Sequence, residues 1–551
     1  MPKRNPKFIF IVGGVMSGVG KGVASASISK ILQSRGLEVT ALKVDPYVNI
    51  DAGTMNPTEH GEVFVLDDGT ECDQDMGNYE RFLGRDLTGA NYMTTGSIYK
   101  TVIERERSMG YGGKSVSVVP YIPLEVIRRI EAAASLAKAD IAITEIGGTV
   151  GEYENILFLE AIRMLRIKNP KDVLLILVSH LPIMSDDNEL KTKPTQHAVR
   201  ALNSVGLQPD FILARAKYPL DEKRKEKIAF NCSVREEDVI SAPDVSTLYD
   251  IPVNFEKDNL GDSILIKLGI RPPKKDMKEW RALTARIHAA KEIVRIGIVG
   301  KYFASGKFTL ADSYISVIEA IKHSAAFCKV RPEIKWLDAE EFEKGGDSLR
   351  ALDYYDGIIV PGGFGSRGIE GKLNVIRYCR EKKIPYFGLC YGMQLATVEF
   401  ARNVLRLKNA NTTEIDPKTK NPVIDILPEQ KKLMAEKSYG GTMRLGAYPA
   451  DLVLGTIAAG AYGKAKISER HRHRFEVNPA FVKRLERAGI VFSGRSPSRR
   501  LMEVMELPRK DHPFFLGTQF HPELKSRPMD PHPLFKEFMK ASAGRAEKAR
   551  Y

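Results

Sequence analysis

Two series of short β-branched runs, each alternating with helical patterns, constrain the fold of this chain more than any other feature. The runs are Phe8–Val12, Val39–Val44, Ile141–Thr144 and Val173–Val178 in the first series, and Val294–Val299, Gly357–Val360 and Pro385–Gly388 in the second. Such alternation is typical of α/β layers around a parallel sheet. We therefore predict an α/β fold with two doubly wound, mainly parallel-sheet domains.

The length of 551 residues leaves room for two cores, since a single hydrophobic core stops growing near about 250 to 300 residues. The boundary is expected where Arg271–Asp276 ends one unit and a charged helical pattern covers Met277–Glu292. The predicted domains are residues 1–270 and 295–543, joined by a linker at 271–294. Residues 544–551 are expected to form a flexible tail.

Composition argues against several classes of protein. No apolar run reaches the roughly 18 to 20 residues that span a bilayer, and Phe8–Val12 is too short for a signal peptide, so we expect a cytoplasmic protein without a membrane partner. The formal charge of +14 comes from Lys and Arg spread along the chain, which favours solvated surface charge over nucleic-acid binding. The five cysteines have neither disulfide-framework nor zinc-ligand spacing.

A glycine-rich loop, Gly13–Gly22, follows the first apolar run and precedes a helical pattern over Val23–Leu32. Glycines allow consecutive backbone N–H groups to point at one anion, and Lys21 can bridge phosphate oxygens. The spacing differs by one residue from the usual phosphate loop, and Gly22 stands where Ser or Thr would normally contact magnesium. A tight structural turn is the alternative, but the combination of strand, loop, lysine and helix favours a nucleotide site.

Acidic residues near predicted strand ends are candidate metal ligands. Asp73 and Asp75 lie close together in the sequence, and Glu145 comes directly after the run Ile141–Thr144. Carboxylate oxygens suit magnesium, and open α/β sheets bind ligands at the carboxyl ends of their strands. Taken alone, each of these acids is more commonly a surface charge.

A second candidate site centres on Cys390. The strand Pro385–Gly388 leads into Gly-Leu-Cys-Tyr-Gly and a helical pattern over Leu395–Arg402, which resembles a nucleophile elbow carrying cysteine. The start of a helix favours a thiolate. The alternative is a buried, inert cysteine, which is our interpretation of Cys232, Cys328 and Cys379.

Possible partners for this thiol lie far from it in the sequence. His521 and Glu523 are two residues apart and could share one side of an extended segment, as a base and the acid that orients it. The glycines of Val360–Gly368 could present backbone N–H groups to an oxyanion, or could form a structural turn.

Several longer strings resemble known families. Lys43–Tyr47, Asp51–Met55, His60–Val65, Asp73–Phe82, Thr144–Glu152 and Lys191–His197 resemble the synthetase domain of CTP synthases. The strings around Cys390 and His521 resemble class I glutamine amidotransferases, and Gly440–Gly446 with His471–Asn478 resemble the CTP synthase branch. The likeness extends from about residue 8 to about residue 540.

The resemblance implies roles for individual residues of the first site. It implies ATP binding by Gly18, Val19, Gly20, Lys21, Gly22, Val23, Lys43, Asp75, Pro243, Asp244 and Val245, with Asp75 and Glu145 as Mg²⁺ ligands. It implies UTP or CTP binding by Ser17, Glu152, Tyr153, Glu154, Lys191, Thr192, Lys193, Pro194, Thr195, Gln196 and Lys227.

The resemblance also implies roles in the second site. Cys390 would be the nucleophile, His521 the proton shuttle and Glu523 its orienting acid. Glutamine would be bound by Gly363, Tyr391, Gly392, Met393, Gln394, Glu414 and Arg474.

The implied reaction is ATP-dependent amination of UTP to CTP, through 4-phosphoryl-UTP and a glutamyl thioester, with glutamine or ammonia as nitrogen donor. The family adds CTP as feedback inhibitor, GTP as activator, a homotetramer and, in some members, filaments. Two stretches, 301–310 and 436–439, differ from the family pattern.

Two other functions compete with this interpretation. One is a different ATP-dependent amidotransferase acting on a cofactor carboxylate, against which Lys191–Gln196 and Gly440–Gly446 argue. The other is a non-catalytic nucleotide-sensing scaffold, in which we would expect Cys390, Lys21 or His521 to be missing; all three are present.

Overall fold

The computed structural model describes residues 5–183, 189–300, 311–363, 367–426 and 443–550, without the side chains of residues 58, 311, 549 and 550. The stretches 301–310 and 436–439, which differ from the family pattern, lie outside these residues. So do residues 364–366 of the second glycine-rich loop and residues 440–442 of the stretch Gly440–Gly446.

The described strands and helices follow the predicted alternation. The strands are β1 (Lys7–Gly14), β2 (Val39–Asp45), β3 (Val63–Val65), β4 (Glu71–Asp73), β5 (Tyr92–Thr94), β6 (Ile141–Ile146), β7 (Val173–His180), β8 (Phe211–Ala216), β9 (Val239–Pro243), β10 (Ile293–Gly300), β11 (Arg331–Asp338), β12 (Gly357–Val360), β13 (Tyr386–Leu389), β14 (Ala410–Thr412), β15 (Asn421–Ile426), β16 (Arg444–Leu452), β17 (Lys466–His473), β18 (Phe475–Val477), β19 (Val491–Arg495), β20 (Met502–Glu506) and β21 (Phe515–Thr518). The α-helices are α1 (Lys21–Gln33), α2 (Pro57–His60), α3 (Asp75–Leu83), α4 (Thr95–Arg107), α5 (Val118–Leu136), α6 (Ile156–Lys168), α7 (Lys193–Ser204), α8 (Glu222–Cys232), α9 (Ile251–Phe255), α10 (Leu260–Lys267), α11 (Lys278–Ala289), α12 (Ile315–Cys328), α13 (Ile369–Lys382), α14 (Tyr391–Asn403), α15 (Ile457–Tyr462), α16 (Pro479–Arg487) and α17 (Pro533–Arg550). Short 3₁₀ helices cover Gly89–Asn91, Tyr153–Asn155, Glu236–Asp238, Leu248–Asp250, Glu256–Asp258, Ala311–Tyr314, Ala339–Phe342, Gly346–Tyr354 and Pro522–Lys525.

The chain divides into two compact units. The first contains residues 1–52 and 75–284, and the second contains residues 53–74 and 285–551. Residues 53–74, which the predicted boundaries assign to the first domain, are therefore grouped with the second unit. The domain boundaries themselves stay a prediction.

The first unit contains a parallel sheet of the described strands in the order β5-β2-β6-β1-β7-β8-β9. Every residue of β2 and β6 is buried, as expected for strands covered on both faces. The order reverses beside β1, since β6 lies on one side of this strand and β7 on the other. Open α/β sheets bind ligands at such a reversal, and the glycine-rich loop leaves the sheet there.

The second unit contains a larger mixed sheet. Among the described strands its order is β11-β10-β12-β13-β21-β20-β19-β16-β17, parallel from β11 to β21 and antiparallel from β21 to β17. Ile358 and Val360 pack in one core and Ile359 in another, so both faces of β12 are covered. The predicted α/β fold class is confirmed, with the antiparallel strands as an addition to it.

Two local findings bear on the predicted linker and tail. The helical pattern predicted over Met277–Glu292 of the linker is present as α11, whose Trp280 is buried in the first unit and donates from Nε1 to the carbonyl of Tyr249 at 2.8 Å. Residues 544–550 of the predicted tail are helical, because α17 runs to Arg550 and Ala546 packs in a core of the second unit. No helix in the described part of the chain is long and apolar enough to cross a membrane.

Candidate functional site

The glycine-rich loop joins β1 to α1 in the first unit. Gly18 and Gly20 have φ angles of 72° and 94°, in the left-handed region that glycine adopts most readily. Lys21 is the first residue of α1, and its Nζ donates to the carbonyl of Gly148 at 2.9 Å. Burial lowers the pKa of Lys21. The loop thus presents a helix start and an ammonium group at one edge of the sheet, as an anion site requires.

Gly22 lies directly against Asp75, the first residue of α3. A Cβ added at position 22 would lie 1.8 Å from Oδ1 of Asp75. The carboxylate therefore occupies the space that the Ser or Thr side chain of the usual phosphate loop would need. The missing hydroxyl noted in the sequence has an acidic oxygen in its place.

Lys43 bridges the two predicted metal ligands. Its Nζ lies 2.6 Å from Oδ2 of Asp75 and 2.8 Å from Oε1 of Glu145, and Tyr79 donates to the other oxygen of Glu145. Burial, and then the nearby charge of Asp75, raise the pKa of Glu145, while Lys43 opposes both effects. Asp45 lies 3.7 Å from the same ammonium, and burial raises its pKa as well.

These residues fit a magnesium ion that is also held by phosphates. Magnesium commonly takes one or two protein carboxylates and completes its shell with water and substrate phosphates. Asp75 and Glu145 supply the two carboxylates beside the loop. In the described ranges, no group of three or more His, Cys, Asp and Glu side chains is arranged to hold a metal. The metal-ligand roles stay a prediction.

A cavity of about 340 Å³ brings the loop together with residues 243–245, which are also predicted to bind ATP. Its lining includes Val19, Gly20, Val23, Pro243, Asp244 and Val245. Arg215, near the end of β8, also lines it and donates to the carbonyl of Gly18 at 3.2 Å. We missed Arg215 in the sequence. A charged residue near the carboxyl end of the apolar run Phe211–Ala216 was the signal available.

The predicted UTP and CTP residues lie outside the lining of this cavity. Tyr153 is 92% exposed, and Lys227 is exposed on α8. Thr195 and Gln196 are buried at the start of α7 and bond within the unit, to Ser179 at 2.8 Å and Thr192 at 3.2 Å. Their role in binding uridine or cytidine nucleotides stays a prediction.

In the second unit, Cys390 sits at a sharp turn between β13 and α14. Its φ and ψ are 48° and −97°, an unusual conformation for a residue with a Cβ. The turn is tight on both sides: a Cβ at Gly392 would lie 2.1 Å from the carbonyl oxygen of Val360, and one at Gly388 would lie 2.7 Å from the backbone of Gly392. Such backbone strain clusters at functional sites.

His521 and Glu523 form a hydrogen-bonded pair. Nδ1 of His521 lies 2.7 Å from Oε1 of Glu523. Burial by itself would lower the pKa of His521, but Glu523 and then Cys390 raise it well above its usual value. The expected extended segment is wrong, because Pro522–Lys525 forms a 3₁₀ helix. Proline suits the first position of a helical turn, which explains the difference.

A cavity of about 650 Å³ in the second unit contains this group of residues. Among the predicted residues, its lining includes Cys390, His521, Glu523, Gly363, Tyr391, Gln394, Glu414 and Arg474. Gly392 and Met393 are not part of the lining, and the side chain of Met393 packs in a hydrophobic core. The sheet topology explains why Gly363, Cys390 and His521 lie in one cavity. These residues follow β12, β13 and β21, which are adjacent parallel strands and therefore end at the same edge of the sheet.

Residues 53–57, 62 and 63 form another wall of the same cavity, although none of them was predicted to lie near Cys390. Glu62 accepts hydrogen bonds from the backbone N–H of Ser316 at 3.2 Å and from its hydroxyl. Farther along, Nε of Arg472 donates to Glu71 at 2.8 Å. Nothing in the local composition of 53–74 indicates that this segment packs on the second unit.

Burial affects the thiols of Cys232, Cys328 and Cys379. Burial raises the pKa of Cys232 to about 11 and also raises the pKa of Cys379 and Cys328. A thiol with a raised pKa holds little of the reactive thiolate near neutral pH. This agrees with their interpretation as structural residues.

Family models match both parts of the chain. One described as CTP synthase N-terminus matches residues 7–270, and one described as Glutamine amidotransferase class-I matches residues 309–541.

Curated relatives match almost the full length. The chain is 50% identical to the CTP synthase of Pyrococcus abyssi over 538 residues, which cover 97% of this chain and 98% of that protein. It is 50% identical to the CTP synthase of Carboxydothermus hydrogenoformans over 537 residues, with the same coverage. Among solved structures, the glutaminase domain of Trypanosoma brucei CTPS with bound acivicin is 38% identical and covers 46% of this chain and 94% of that chain, with a TM-score of 0.41.

Proposed function

This chain belongs to the CTP synthase family of glutamine-hydrolysing ligases, and from that premise we propose that it aminates UTP to CTP at the expense of ATP, with glutamine or free ammonia as the nitrogen donor. The observation that carries the proposal is the arrangement around Cys390. A strained cysteine at the start of a helix shares one cavity with a hydrogen-bonded His521–Glu523 pair. That is the arrangement a thiol-dependent amidase needs.

In the glutaminase half-reaction, the Cys390 sulfur attacks the amide carbon of glutamine. A glutamyl thioester forms, the carbon–nitrogen bond breaks, and His521 donates a proton so that ammonia leaves. Water then attacks the thioester, His521 accepts its proton, and glutamate departs as Cys390 is regenerated. Glu523 keeps the imidazole oriented, and its negative charge favours the protonated ring. Gly363, Tyr391, Gln394, Glu414 and Arg474 bind and orient the substrate.

In the synthetase half-reaction, O4 of UTP attacks the γ-phosphorus of ATP. The products are 4-phosphoryl-UTP and ADP. The N3 proton of UTP is lost in this step. Ammonia then adds at C4, the C4–O4 bond breaks as phosphate leaves with O4, and loss of one proton from the added nitrogen gives CTP. Phosphoryl transfer needs positioning and positive charge more than covalent chemistry from the protein.

The residues of the first unit suit those needs. The N–H groups of 18–23 and the ammonium of Lys21 bind the phosphates, and Lys43 offsets charge that develops during transfer. Pro243, Asp244 and Val245 contact adenine, with Arg215 beside them. Magnesium, held by Asp75 and Glu145, would neutralise phosphate charge when bound.

The remaining assignments rest on family membership. We infer that Ser17, Lys191–Gln196 and Lys227 bind UTP and that Glu152–Glu154 contact the ring of inhibitory CTP. Activation by GTP, a homotetramer and filament formation are proposals of the same kind.

The proposal is tested by supplying UTP, ATP and Mg²⁺ with either glutamine or ammonium chloride and measuring CTP by chromatography. We expect CTP from both donors, and glutamate in amounts matching CTP when glutamine is the donor. Hydrolysis of glutamine without amination of UTP would contradict the proposal, as would formation of CTP without ATP consumption.

A further inference from the structure

The cavity that contains Cys390 is here called the thiol cavity. Four consecutive residues, 472–475, form part of its wall and are called the lining segment. The carbonyl of Arg472 lies 3.9 Å from the sulfur of Cys390. The carbonyl of Phe475 accepts a hydrogen bond from Nε2 of Gln394 at 2.9 Å. Arg474, one of the proposed glutamine-binding residues, lies between them in the sequence. The position of this segment therefore controls how several groups face the substrate.

A buried set of titratable side chains, here called the ring, connects the two residues that flank the lining segment. His471, just before it, lies 2.8 Å through Nε2 from Oε2 of Glu503. Glu476, just after it, accepts from Nη1 of Arg444 at 2.9 Å. Arg444 closes the ring by donating from Nη2 to Oε1 of Glu503 at 2.9 Å. The four side chains are each at least nine-tenths buried.

The groups of the ring come from separate strands. Strands β16, β17 and β20 belong to the mixed sheet and β18 belongs to a smaller sheet with β14 and β15, so these side chains add contacts between the two sheets. Arg444 opens β16, His471 lies in β17, Glu476 in β18 and Glu503 in β20. The backbone pairing places Arg444 opposite His473 of the lining segment. Because the guanidinium is planar and has several donors in fixed directions, it can hold two carboxylates in one geometry, which lysine cannot do.

The pKa shifts of the neighbouring glutamates and histidines agree with Arg444 as the one cation at the centre of the ring. Burial raises the pKa of Glu476 to about 8, with Arg444 opposing that effect. Burial also acts to raise the pKa of Glu503, but the contacts from His471 and Arg444 outweigh it and lower that pKa. Burial lowers the pKa of both His471 and His473. Arg444 is thus the cation that faces both carboxyl groups of the ring.

We propose that Arg444 and Glu503 are positioning residues of the glutaminase site, which clamp the lining segment from both ends and so set the geometry in which glutamine is bound. Neither side chain lines the cavity, so both act through residues 472–475. This inference rests on the proposed glutaminase function of the second unit. It predicts a defect specific to glutamine, because the synthetase half-reaction with ammonium takes place in the first unit.

The test compares Arg444→Met and Arg444→Lys with a matched control, Arg380→Met. Arg380 forms a part-buried pair with Glu399 at 2.8 Å and 3.0 Å in the same unit, on helices that do not include the lining segment. Glutamate formation, the rate of Cys390 alkylation by iodoacetamide and ammonium-driven CTP formation are measured for each protein.

We expect Arg444→Met to lower kcat/KM for glutamine by about 10²-fold, mainly through KM, since misplacement of a positioning group by about 1 Å has an effect of that size. Alkylation and ammonium-driven synthesis should stay within about threefold of wild type. Arg444→Lys should recover part of the loss, because it restores the charge without the planar fork. Arg380→Met should leave the KM for glutamine unchanged.

A second variant keeps the test decisive if Arg444→Met does not fold. Glu503→Gln preserves the shape of the side chain but removes the charge that faces Arg444 and His471, and we expect it to raise the KM for glutamine by about tenfold. A wild-type KM for glutamine in Glu503→Gln, or an equal rise of this KM in Arg380→Met, would refute the proposed positioning role of Arg444 and Glu503. If the wild-type protein does not split glutamine, the proposed function fails instead, independently of the clamp.

Discussion

The carboxylate of Asp75 fills the space beside the Cα of Gly22, where an added Cβ would lie 1.8 Å from Oδ1. The contact joins the start of α1 to the start of α3 and places an acidic oxygen next to the glycine-rich loop. It accounts for a glycine at a position where phosphate loops usually carry a hydroxyl residue.

Gly22→Ser is therefore expected to damage the first site rather than restore a familiar loop. The new side chain and Asp75 cannot both keep their places, so we expect ammonium-driven CTP formation to fall by about 10²-fold, the loss associated with a displaced catalytic group. Basal glutamine hydrolysis should be retained. The matched control is Gly460→Ala, in α15, where a Cβ meets nothing within 4 Å. Near-normal CTP synthesis by Gly22→Ser would refute the steric argument.

Cys390→Ala should separate the two half-reactions. Without the sulfur no thioester can form, so glutamine-driven CTP formation should fall by at least about 10³-fold, as expected for loss of a nucleophile. Ammonium-driven synthesis should stay within about twofold of wild type. Cys379→Ala is a control, since Cys379 is fully buried away from the cavity. Parallel loss of both activities in Cys390→Ala would contradict the two-site model.

Glu523→Gln should change stability in a pH-dependent way. The pKa of His521 is raised in the folded protein, so the pairing contributes stability that is fully present below the unfolded pKa of about 6.5 and disappears as pH rises through the folded pKa. The variant should therefore be less stable than wild type in mildly acidic solution, with the difference shrinking at alkaline pH. Urea unfolding at several pH values measures this. A difference in the free energy of unfolding between wild type and Glu523→Gln that grows with pH would contradict this prediction.

Lys43→Met should alter metal binding as well as catalysis. The ammonium contacts Asp75 and Glu145 at 2.6 Å and 2.8 Å, so it competes with a metal ion for the same oxygens when no nucleotide is bound. We expect the variant to bind Mn²⁺ about tenfold more tightly by electron paramagnetic resonance, because an opposing unit charge is removed at short range. CTP synthesis should nevertheless be lost.

The comparison variant for this experiment is Lys30→Met. Lys30 is a part-buried lysine on the same unit that lies over the ring of Trp280, at 5.3 Å from its centroid. Its removal should leave Mn²⁺ affinity unchanged. Weaker Mn²⁺ binding by Lys43→Met would mean that the lysine supports the ion rather than competing with it.

Much of the fold could be predicted because the signals were local. Phe8–Val12 and Gly357–Val360 are strands with nearly the expected bounds, since continuous β-branched runs have few other low-energy conformations inside a protein. The elbow at Cys390 could also be predicted from the sequence, because the glycines at 388 and 392 permit the close approach of backbone segments that such a turn needs.

Other features carried no local signal. The placement of residues 53–74 with the second unit depends on partners such as Ser316 and Arg472, hundreds of positions away. Arg215 and Arg444 look like ordinary charged residues in strands until their partners are known. The 3₁₀ helix after His521 replaced an expected extended segment, although the His521–Glu523 pair itself formed.

The sequence by itself determined the α/β class, the glycine-rich loop and the cysteine elbow, because each depends on backbone preferences and side-chain chemistry within about ten residues. Tertiary structure alone decided that Asp75 lies against Gly22, that Lys43 bridges two acids and that Arg444 ties the strands around the thiol cavity. The physical reason is that contacts between distant segments follow from how whole strands and helices pack, and a buried charge can remain only where another segment brings it a partner.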